Sequence, residues 1–251
     1  MKWMLFFLFV LSSNVFAHEI NLSASHVSLR RQHSSGRQAL VDSFIDLNDH
    51  QRLRLGAQYL ERFDLYERLF LVGFEHKFES FYVIANAEYG HNGRILPHQR
   101  YSIGSGQAFL PGLSFYEELR TAEYTGLRLD EVLLNMEIEK IQSIIFVPMV
   151  RLGKAHFKSP SGDKNLFGYG LKAIYYKENI GQVWVGVFKG QEPAQIVLGR
   201  FNEILKSTSV SAGVKYEWNE SLSSGLSIEH TDYSLINNQF ITTTLSTSWR
   251  F

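Results

Sequence analysis

Apolar and polar side chains alternate with a period of two along most of this chain. The clearest run sets apolar residues at every second position, namely Val210, Ala212, Val214, Tyr216 and Trp218. The positions between them are polar or small: Ser211, Gly213, Lys215 and Glu217. Successive side chains of a β-strand point to opposite faces, so this pattern predicts strands whose two faces meet different environments.

Fourteen such segments of roughly 10–13 residues follow one another, a length that suits strands crossing a bilayer. They lie near 19–31, 38–48, 52–63, 68–78, 80–90, 98–109, 114–127, 131–141, 144–156, 165–178, 180–189, 206–218, 221–233 and 238–251. In hydrocarbon every backbone polar group must pair inside the protein, and closed barrels meet that condition. We therefore predict an all-β fold, a single antiparallel transmembrane β-barrel of about 14 strands, with 12 strands as the alternative.

The connections between these segments differ in length in the way expected of an outer-membrane barrel. If the last strand runs toward the periplasm, 48–51, 177–180 and 218–221 become short periplasmic turns. The polar stretches 158–165 and 190–205 become extracellular loops. Bacterial barrels of this kind have short periplasmic turns and longer outer loops, and an even strand count leaves both termini in the periplasm.

Two places do not fit this map smoothly. Pro148 falls in the middle of a predicted strand, so it should mark a β-bulge or an error of register. The 190–205 loop carries six large apolar residues, which is unusual for an exposed loop. It could fold over the barrel mouth, fold inward as a plug, or contain a further pair of strands.

The strand ends and the final residue also favour a membrane barrel. Aromatic residues near the ends fit interfacial girdles: Tyr59, Phe63, Phe78, Tyr89, Tyr216, Trp218, Trp249 and Phe251. The terminal Phe251 is the expected contact with the barrel-assembly machinery, and the lipid of the outer membrane is the expected surrounding. The alternative is a large secreted β-sandwich or a lipocalin-like barrel, whose apolar face would point inward.

The N-terminus predicts export. Lys2 precedes a short apolar run, and small residues lead to Ala17, as in a cleaved secretory signal peptide. We expect residues 1–17 to be the signal peptide and residues 18–251 to be the barrel domain in the outer membrane of a Gram-negative cell. A membrane anchor is the alternative, but the run is shorter than the roughly 20 residues that a spanning helix needs.

Composition removes several classes of function. The chain of 251 residues has 25 Lys+Arg and 25 Asp+Glu, and this balance argues against a nucleic-acid partner. It has no cysteine, which excludes disulfides, thiolate metal sites and a cysteine nucleophile. No phosphate-binding glycine loop, dinucleotide fingerprint or histidine-rich metal spacing is present, so we expect no cofactor.

Several short segments resemble the YaiO-type outer-membrane β-barrel family. The segment 96–101 is similar to the Pro-x-x-Arg entry to a strand, 107–112 to a strand with a Leu-Pro turn, and 190–193 to a Gly-x-x-Pro loop. The ending 249–251 fits a Tyr-Arg-Phe-like terminus. The hairpin at 118–132 departs from the pattern, since it reads Thr-Gly-Leu-Arg-Leu-Asp where the family usually has Gly-Tyr-Arg and then Phe. The resemblance implies an accessory of a surface-polysaccharide system, with a glycan or an envelope protein as partner.

Charged side chains fall on the polar face of the predicted strands, which would line the lumen. The candidates are Arg52, Arg54, Glu75, Glu137, Glu139, Arg151, Lys172, Lys215, Glu217 and Glu229. Their mixed signs fit two interpretations, pairing that fills the interior or a charged constriction in a narrow pore.

Three functions follow from these observations. The leading hypothesis is a porin-like, non-enzymatic channel or export accessory for a polar solute. The second is a closed structural or receptor barrel that binds a surface partner through its loops. The third is a hydrolase using a rim histidine, His156 or His230, with Ser159, Ser161, Asp163 or Asp232 nearby.

Overall fold

The computed structural model describes most of the chain. The described residues are 18–29, 35–62, 64–91, 93–141, 143–158, 162–178, 180–194, 203–234 and 238–251. The expected signal peptide, residues 1–17, lies outside them, and its cleavage stays a prediction. Among the described residues, no helix is long and apolar enough to cross a membrane.

Fourteen antiparallel strands form one closed sheet. They are β1 Glu19–Leu29, β2 Ser35–Asn48, β3 Gln51–Arg62, β4 Leu65–Lys77, β5 Phe81–His91, β6 Gln99–Leu110, β7 Leu113–Tyr124, β8 Leu127–Ile141, β9 Ile144–Phe157, β10 Asp163–Lys177, β11 Gly181–Pro193, β12 Ile204–Glu217, β13 Leu222–Tyr233 and β14 Asn238–Arg250. Each strand pairs with its sequence neighbours, and β1 closes the barrel on β14 from Glu19↔Arg250 to Leu29↔Phe240. The predicted 14-stranded barrel is confirmed, and the alternative of 12 strands is wrong.

The two faces of the sheet differ as the alternation predicts. Large exposed apolar side chains share one face across neighbouring strands, where Leu171 pairs with Val187 and Val187 pairs with Val210. The other face is the inside, because its side chains touch across strands that are not neighbours. For example, the guanidinium of Arg62 on β3 lies 5.4 Å from the ring centre of Phe240 on β14. The apolar face therefore points outward, toward lipid, and the soluble-barrel alternative is wrong.

The two ends of the barrel have connections of different length. The terminal end holds His18 and Phe251, the first and last described residues, and connections of two to four residues, namely 49–50, 78–80, 111–112, 142–143, 178–180 and 218–221. The loop end holds connections of up to ten residues, namely 30–34, 63–64, 92–98, 125–126, 158–162, 194–203 and 234–237. The three turns expected at the periplasmic side, near 48–51, 177–180 and 218–221, thus lie at the terminal end. The two expected outer loops, near 158–165 and 190–205, lie at the loop end.

The structure corrects the two irregular places. β11 continues to Pro193 and β12 begins at Ile204, so the expected 190–205 loop is a connection of residues 194–203. Backbone pairing between β11 and β12 continues to Pro193↔Ile204, so both strands extend beyond the ends expected near 189 and 206. Within the connection, residues 195–202 lie outside the described residues, so the plug hypothesis stays untested.

The expectation of a bulge or a wrong register at Pro148 is wrong. Pro148 pairs with Leu171 of β10, and the register of β9 with β8 is the same on either side of it. The ladder toward β8 instead skips two pairs there, from Asn135↔Met149 to Ile138↔Phe146. This interruption accommodates a residue that has no N–H to donate.

Exposed aromatic side chains lie near both ends of the outer face. Phe78, Tyr216, Trp218, Trp249 and Phe251 lie near the terminal end. Tyr89 lies near the loop end with several further aromatics, namely Tyr66, Tyr101, Phe167 and Tyr169. This arrangement fits the interfacial girdles of membrane barrels. Of the predicted girdle residues, Phe63 lies outside the described residues.

Candidate functional site: the interior of the barrel

A cavity lies inside the barrel beside the 78–80 turn of the terminal end. Its volume is about 640 Å³, and its lining includes Tyr82, Tyr116, Asn135, Glu137 and Val147. The rings of Tyr82 and Tyr116 have centroids 6.5 Å apart and planes inclined by 24°. This cavity, which we call the vestibule, therefore combines aromatic faces with amide and carboxylate groups.

Glycines of β6 let the two tyrosine rings lie close to the barrel wall. A Cβ at Gly106 would overlap the ring of Tyr82, and one at Gly104 would lie 2.7 Å from the Tyr116 hydroxyl oxygen. Both glycines are needed at these positions because the rings occupy the space above them. The wall thus keeps the vestibule wide while presenting aromatic surface to it.

A second, smaller cavity of about 280 Å³ lies at the terminal end among charged side chains. Arg52 Nε donates to Asp46 Oδ1 at 2.5 Å, and Lys77 Nζ lies 3.8 Å from Glu75 Oε1. The terminal end of the lumen is therefore polar and charged, with groups of both signs.

Farther toward the loop end, paired arginines and glutamates line the wall. We call this set the arginine belt; it consists of Arg100, Arg120, Arg151, Glu88, Glu118 and Glu131. Arg120 lies 3.1 Å from Glu118 and 4.0 Å from Glu131, and Arg151 Nε lies 3.5 Å from the other oxygen of Glu131. Shared partners compensate the charges, as half-buried and buried ions require.

Arg151 extends the arginine belt across the interior to β11. Its guanidinium donates a hydrogen bond to the carbonyl oxygen of Gln191 and lies 5.6 Å from the ring centre of Phe188. β9 and β11 are not neighbours in the sheet. Arg151 also pairs with Glu131 on β8, so this one side chain links β8, β9 and β11 through the interior.

Residues 93–98 of the β5–β6 connection fold into the barrel at the loop end, and we call them the inner segment. Ile95 and Leu96 are buried against Leu60 and Leu69, which belong to the inner faces of β3 and β4. The Thr125 N–H donates to the Gly93 carbonyl at 2.7 Å, which links the inner segment to the β7–β8 turn. The inner segment thus reaches from one wall of the mouth toward another.

A buried carboxylate holds the inner segment in place. Glu67 on β4 is 0% exposed, and it accepts hydrogen bonds from three consecutive backbone N–H groups. The distances are 2.8 Å from Arg94, 3.2 and 3.0 Å from Ile95, and 2.5 Å from Leu96. Successive amides that converge on one anion stabilise it strongly, so Glu67 and the inner segment form a latch.

Two more buried apolar clusters occupy the loop end of the interior. One contains Val27, Ala194, Leu205, Tyr233 and Phe240. The other is centred on the β7–β10 wall, with members Ala122, Tyr124, Leu127, Leu129, Ala155, Phe157 and Leu166. Together with the inner segment they fill part of the lumen at this end, whereas the vestibule at the terminal end holds an open volume of about 640 Å³.

The register places the side chains of all ten lumen candidates on the inner face, but in several groups rather than one ring. Arg52 and Glu75 lie at the terminal end, and Arg54 forms a bidentate pair with Asp42 at 3.1 and 2.9 Å. Arg151 belongs to the arginine belt, and Glu137 lines the vestibule.

The other five are spread around the wall. Lys172 Nζ lies 5.0 Å from the ring centre of Trp184, and Glu229 accepts from the Thr231 hydroxyl at 3.0 Å. The remaining three occupy inner positions near the terminal end, namely Glu139, Lys215 and Glu217. A role of these ten in conduction stays a prediction.

The sequence reasoning missed most partners of these charges. It did not name Asp42, Asp46 or the arginine-belt residues other than Arg151, although the same period of two would have found them. Arg120 and Glu118, for instance, alternate with Leu119 and Thr121 on β7. Glu67 also sits at a predictable inner position, but nothing in its neighbourhood indicates which backbone groups it binds.

The rim histidines lie on the outer face. His156 contacts two carboxylates, Asp163 at 3.0 Å and Asp130 at 3.2 Å, whereas His230 lies 3.8 Å from Asp232. Ser159 and Ser161 lie outside the described residues. No group of three or more potential metal ligands occurs in the described part of the chain.

Solved structures of outer-membrane barrels have a similar fold. CymD, a monoaromatic hydrocarbon channel, superposes with a TM-score of 0.63 at 12% identity, over 93% of this chain and 88% of that one. A bacterial polysaccharide outer membrane secretin gives 0.55 at 13% identity, over 95% and 100%. The anion-selective porin from Comamonas acidovorans gives 0.53 at 9% identity, over 93% and 98%.

No protein-family model matches the chain, and no curated protein matches it in sequence. The YaiO-type resemblance therefore stays a prediction. Identities this low relate the chains by fold, and the fold agrees with the apolar outer face and the closed sheet. The chain therefore has the fold of the outer-membrane β-barrels.

Proposed function

We propose that this protein is a non-enzymatic, gated channel or export accessory for a polar solute. The observation that carries the proposal is the asymmetry of the interior, a wide vestibule at one end and the Glu67 latch at the other. A polar lumen offers a solute hydrogen-bonding groups in place of water, and a movable constriction controls its passage. The ten inner charges would set which solutes enter.

The terminal end would face the periplasm. Short turns and both termini are on the periplasmic side of bacterial barrels, and longer connections are outside. The vestibule would then receive solutes from the periplasm, and the latch would close the external mouth. This orientation favours export over uptake, because the vestibule, with its accessible binding surface, faces the periplasm.

A glycan is the solute that best fits the vestibule. The half-buried rings of Tyr82 and Tyr116 provide flat apolar surface, and Asn135 and Glu137 provide hydrogen-bonding groups next to it. Sugars combine apolar C–H faces with many hydroxyl groups, which match such a lining. The polysaccharide secretin among the similar folds and the YaiO-type resemblance support a link to surface polysaccharide.

Flux into proteoliposomes tests this function. Liposomes carrying the full barrel would be given neutral oligosaccharides of increasing length, and swelling would report entry. We expect slow swelling with the native protein and faster swelling with Gly90→Ala, because a Cβ at Gly90 would overlap the Pro97 carbonyl oxygen and displace the inner segment. Equal, negligible swelling with both folded proteins would contradict a gated channel.

The alternative function is a closed receptor barrel, and the narrowed loop end favours it. In that case the latch would stiffen a surface that binds an envelope partner, and no variant of the inner segment would pass solute. The hydrolase hypothesis has less support, because His156 and His230 point away from the lumen, toward the membrane interface.

A further inference from the structure

A groove on the outer face near the loop end has a lining unlike the rest of the apolar belt. It crosses β10 to β13 and has a volume of about 570 Å³. Its outward side chains include Phe167, Tyr169, Lys189, Lys206, Thr208 and, directly opposite Thr208 on β13, Asp232. Two lysines thus lie among aromatic residues on the surface that meets lipid.

The sheet register sets the spacing of the two lysines. Tyr169 pairs with Lys189, and Lys189 pairs with Thr208, so these three side chains form a row across β10, β11 and β12. Lys206 lies two residues before Thr208 on the same face of β12. Diagonal neighbours of this kind have Cβ atoms about 7–8 Å apart, within reach of long side chains converging on one group.

The carboxylate of Asp232 in the groove lies 3.8 Å from His230, and it forms no ion pair with either lysine. In the described part of the chain, no carboxylate oxygen lies within 4.0 Å of the Lys189 or Lys206 ammonium. Other cations of the same rim are paired: Lys154 Nζ lies 2.7 Å from Asp163, and Arg128 Nε lies 3.2 Å from Asp130. Two like charges at diagonal positions of neighbouring strands, at a membrane interface, favour an anion between them.

The aromatic part of the groove fits an acyl chain. Phe167 and Tyr169 are half-exposed, and their ring centroids lie 5.7 Å apart. The Phe167 N–H donates to Gln191 Oε1 at 3.2 Å. This hydrogen bond positions the Gln191 side chain between the aromatic rings and the lysines. Aromatic residues at this level mark the boundary between headgroups and hydrocarbon.

We infer that this groove binds a phosphorylated glycolipid of the outer leaflet, with its phosphate between Lys189 and Lys206. The acyl chains pack on Phe167 and Tyr169, and sugar hydroxyls reach Thr208. Ammonium groups bind phosphate as point charges, and the low dielectric of the interface strengthens the attraction. This inference rests on the proposed orientation, with the loop end outward, and is independent of channel activity.

The test measures how lipid changes the temperature of barrel unfolding. The full barrel in detergent micelles would be heated with and without bisphosphorylated lipid A, and gel mobility would report the folded fraction. We expect lipid A to raise the midpoint by about 5 °C in the native protein. Lys189→Gln/Lys206→Gln should lose most of this rise, and Lys189→Arg/Lys206→Arg should keep it.

The matched control removes two cations of the same rim that are already paired. Arg128→Gln/Lys154→Gln changes the net charge equally and should keep the native response to lipid A. Dephosphorylated lipid A, phosphatidylglycerol and inorganic phosphate should each give a much smaller rise. The inference would be overturned by an undiminished response of the Lys189/Lys206 glutamine variant, by an equal loss in the control, or by an equal rise with any of these three ligands.

Discussion

The carboxylate of Glu67 accepts hydrogen bonds from the backbone N–H of Ile95 through both of its oxygens, at 3.2 and 3.0 Å. Glu67 lies on β4, whereas Ile95 lies in the connection that follows β5. This contact adds to the apolar packing of Ile95 and to the Thr125–Gly93 hydrogen bond, which also hold the inner segment. A single substitution at Glu67 therefore tests how much of that hold comes from the buried carboxylate.

Glu67→Gln should loosen the inner segment. The amide keeps one acceptor oxygen and turns an NH₂ group toward backbone donors, and each unsatisfied buried group costs about 1–3 kcal/mol. A loss of this size raises the open population by about fivefold or more, so trypsin should cleave after Arg94 at least about five times faster. Native protein and variant would be compared by mass spectrometry of timed digests.

Glu61→Gln is the control for this experiment, because Glu61 lies on the outer face of the neighbouring β3, where its carboxylate accepts a 3.5 Å hydrogen bond from the Tyr59 hydroxyl. It should be cleaved at the native rate. Cleavage of Glu67→Gln at the native rate would show that Glu67 does not hold the segment.

The ion pair between Arg151 and Glu131 should be strongly coupled. Truncating one partner, as in Glu131→Leu, leaves a half-buried charge without its partner and should cost about 3–5 kcal/mol. Arg151→Leu/Glu131→Leu should cost less than the sum of the two single variants, because no unpaired charge remains. Urea unfolding in micelles measures all three variants, and additive effects would show that the pair is not a unit.

The sequence predicted the strands well because each strand carries its own evidence. Thus β12 is identified by residues 206–218 alone, and the same period assigns Glu137 and Arg151 to the inner face. The ends of β11 and β12 could not be read this way, because Pro193 and Ile204 are added by pairing between strands. The latch was beyond prediction, since Glu67 binds backbone groups 27 to 29 residues away, whose side chains give no signal.

An arginine should destabilise the barrel at one position of β12 and be tolerated at the next. Val210 is exposed on the outer face, whereas Ser211 faces the lumen. Near the middle of the membrane, an outward arginine costs about 2–4 kcal/mol, and an inward one stays in water. Val210→Arg should therefore unfold at clearly lower urea than Ser211→Arg. Similar midpoints for the two variants would contradict the assignment of the faces.

Glu137 should contribute to ion selectivity once the latch is released. In the Glu67→Gln background, Glu137→Gln removes a negative charge from the vestibule, which should shift the reversal potential in a KCl gradient toward anions. Glu178→Gln removes the same charge from a turn outside the lumen and should leave the potential unchanged. A similar shift in both variants would indicate a surface effect.

Single-channel recording of the native protein and Glu67→Gln in a planar bilayer tests the gated channel most directly. Folding of both proteins would first be verified by heat-shifted gel mobility. We predict rare or small openings for the native barrel, and frequent, larger steps for Glu67→Gln, because release of the inner segment widens the narrow end. Identical silence of both folded proteins, or equally large steps in both, would contradict a lumen gated by Glu67.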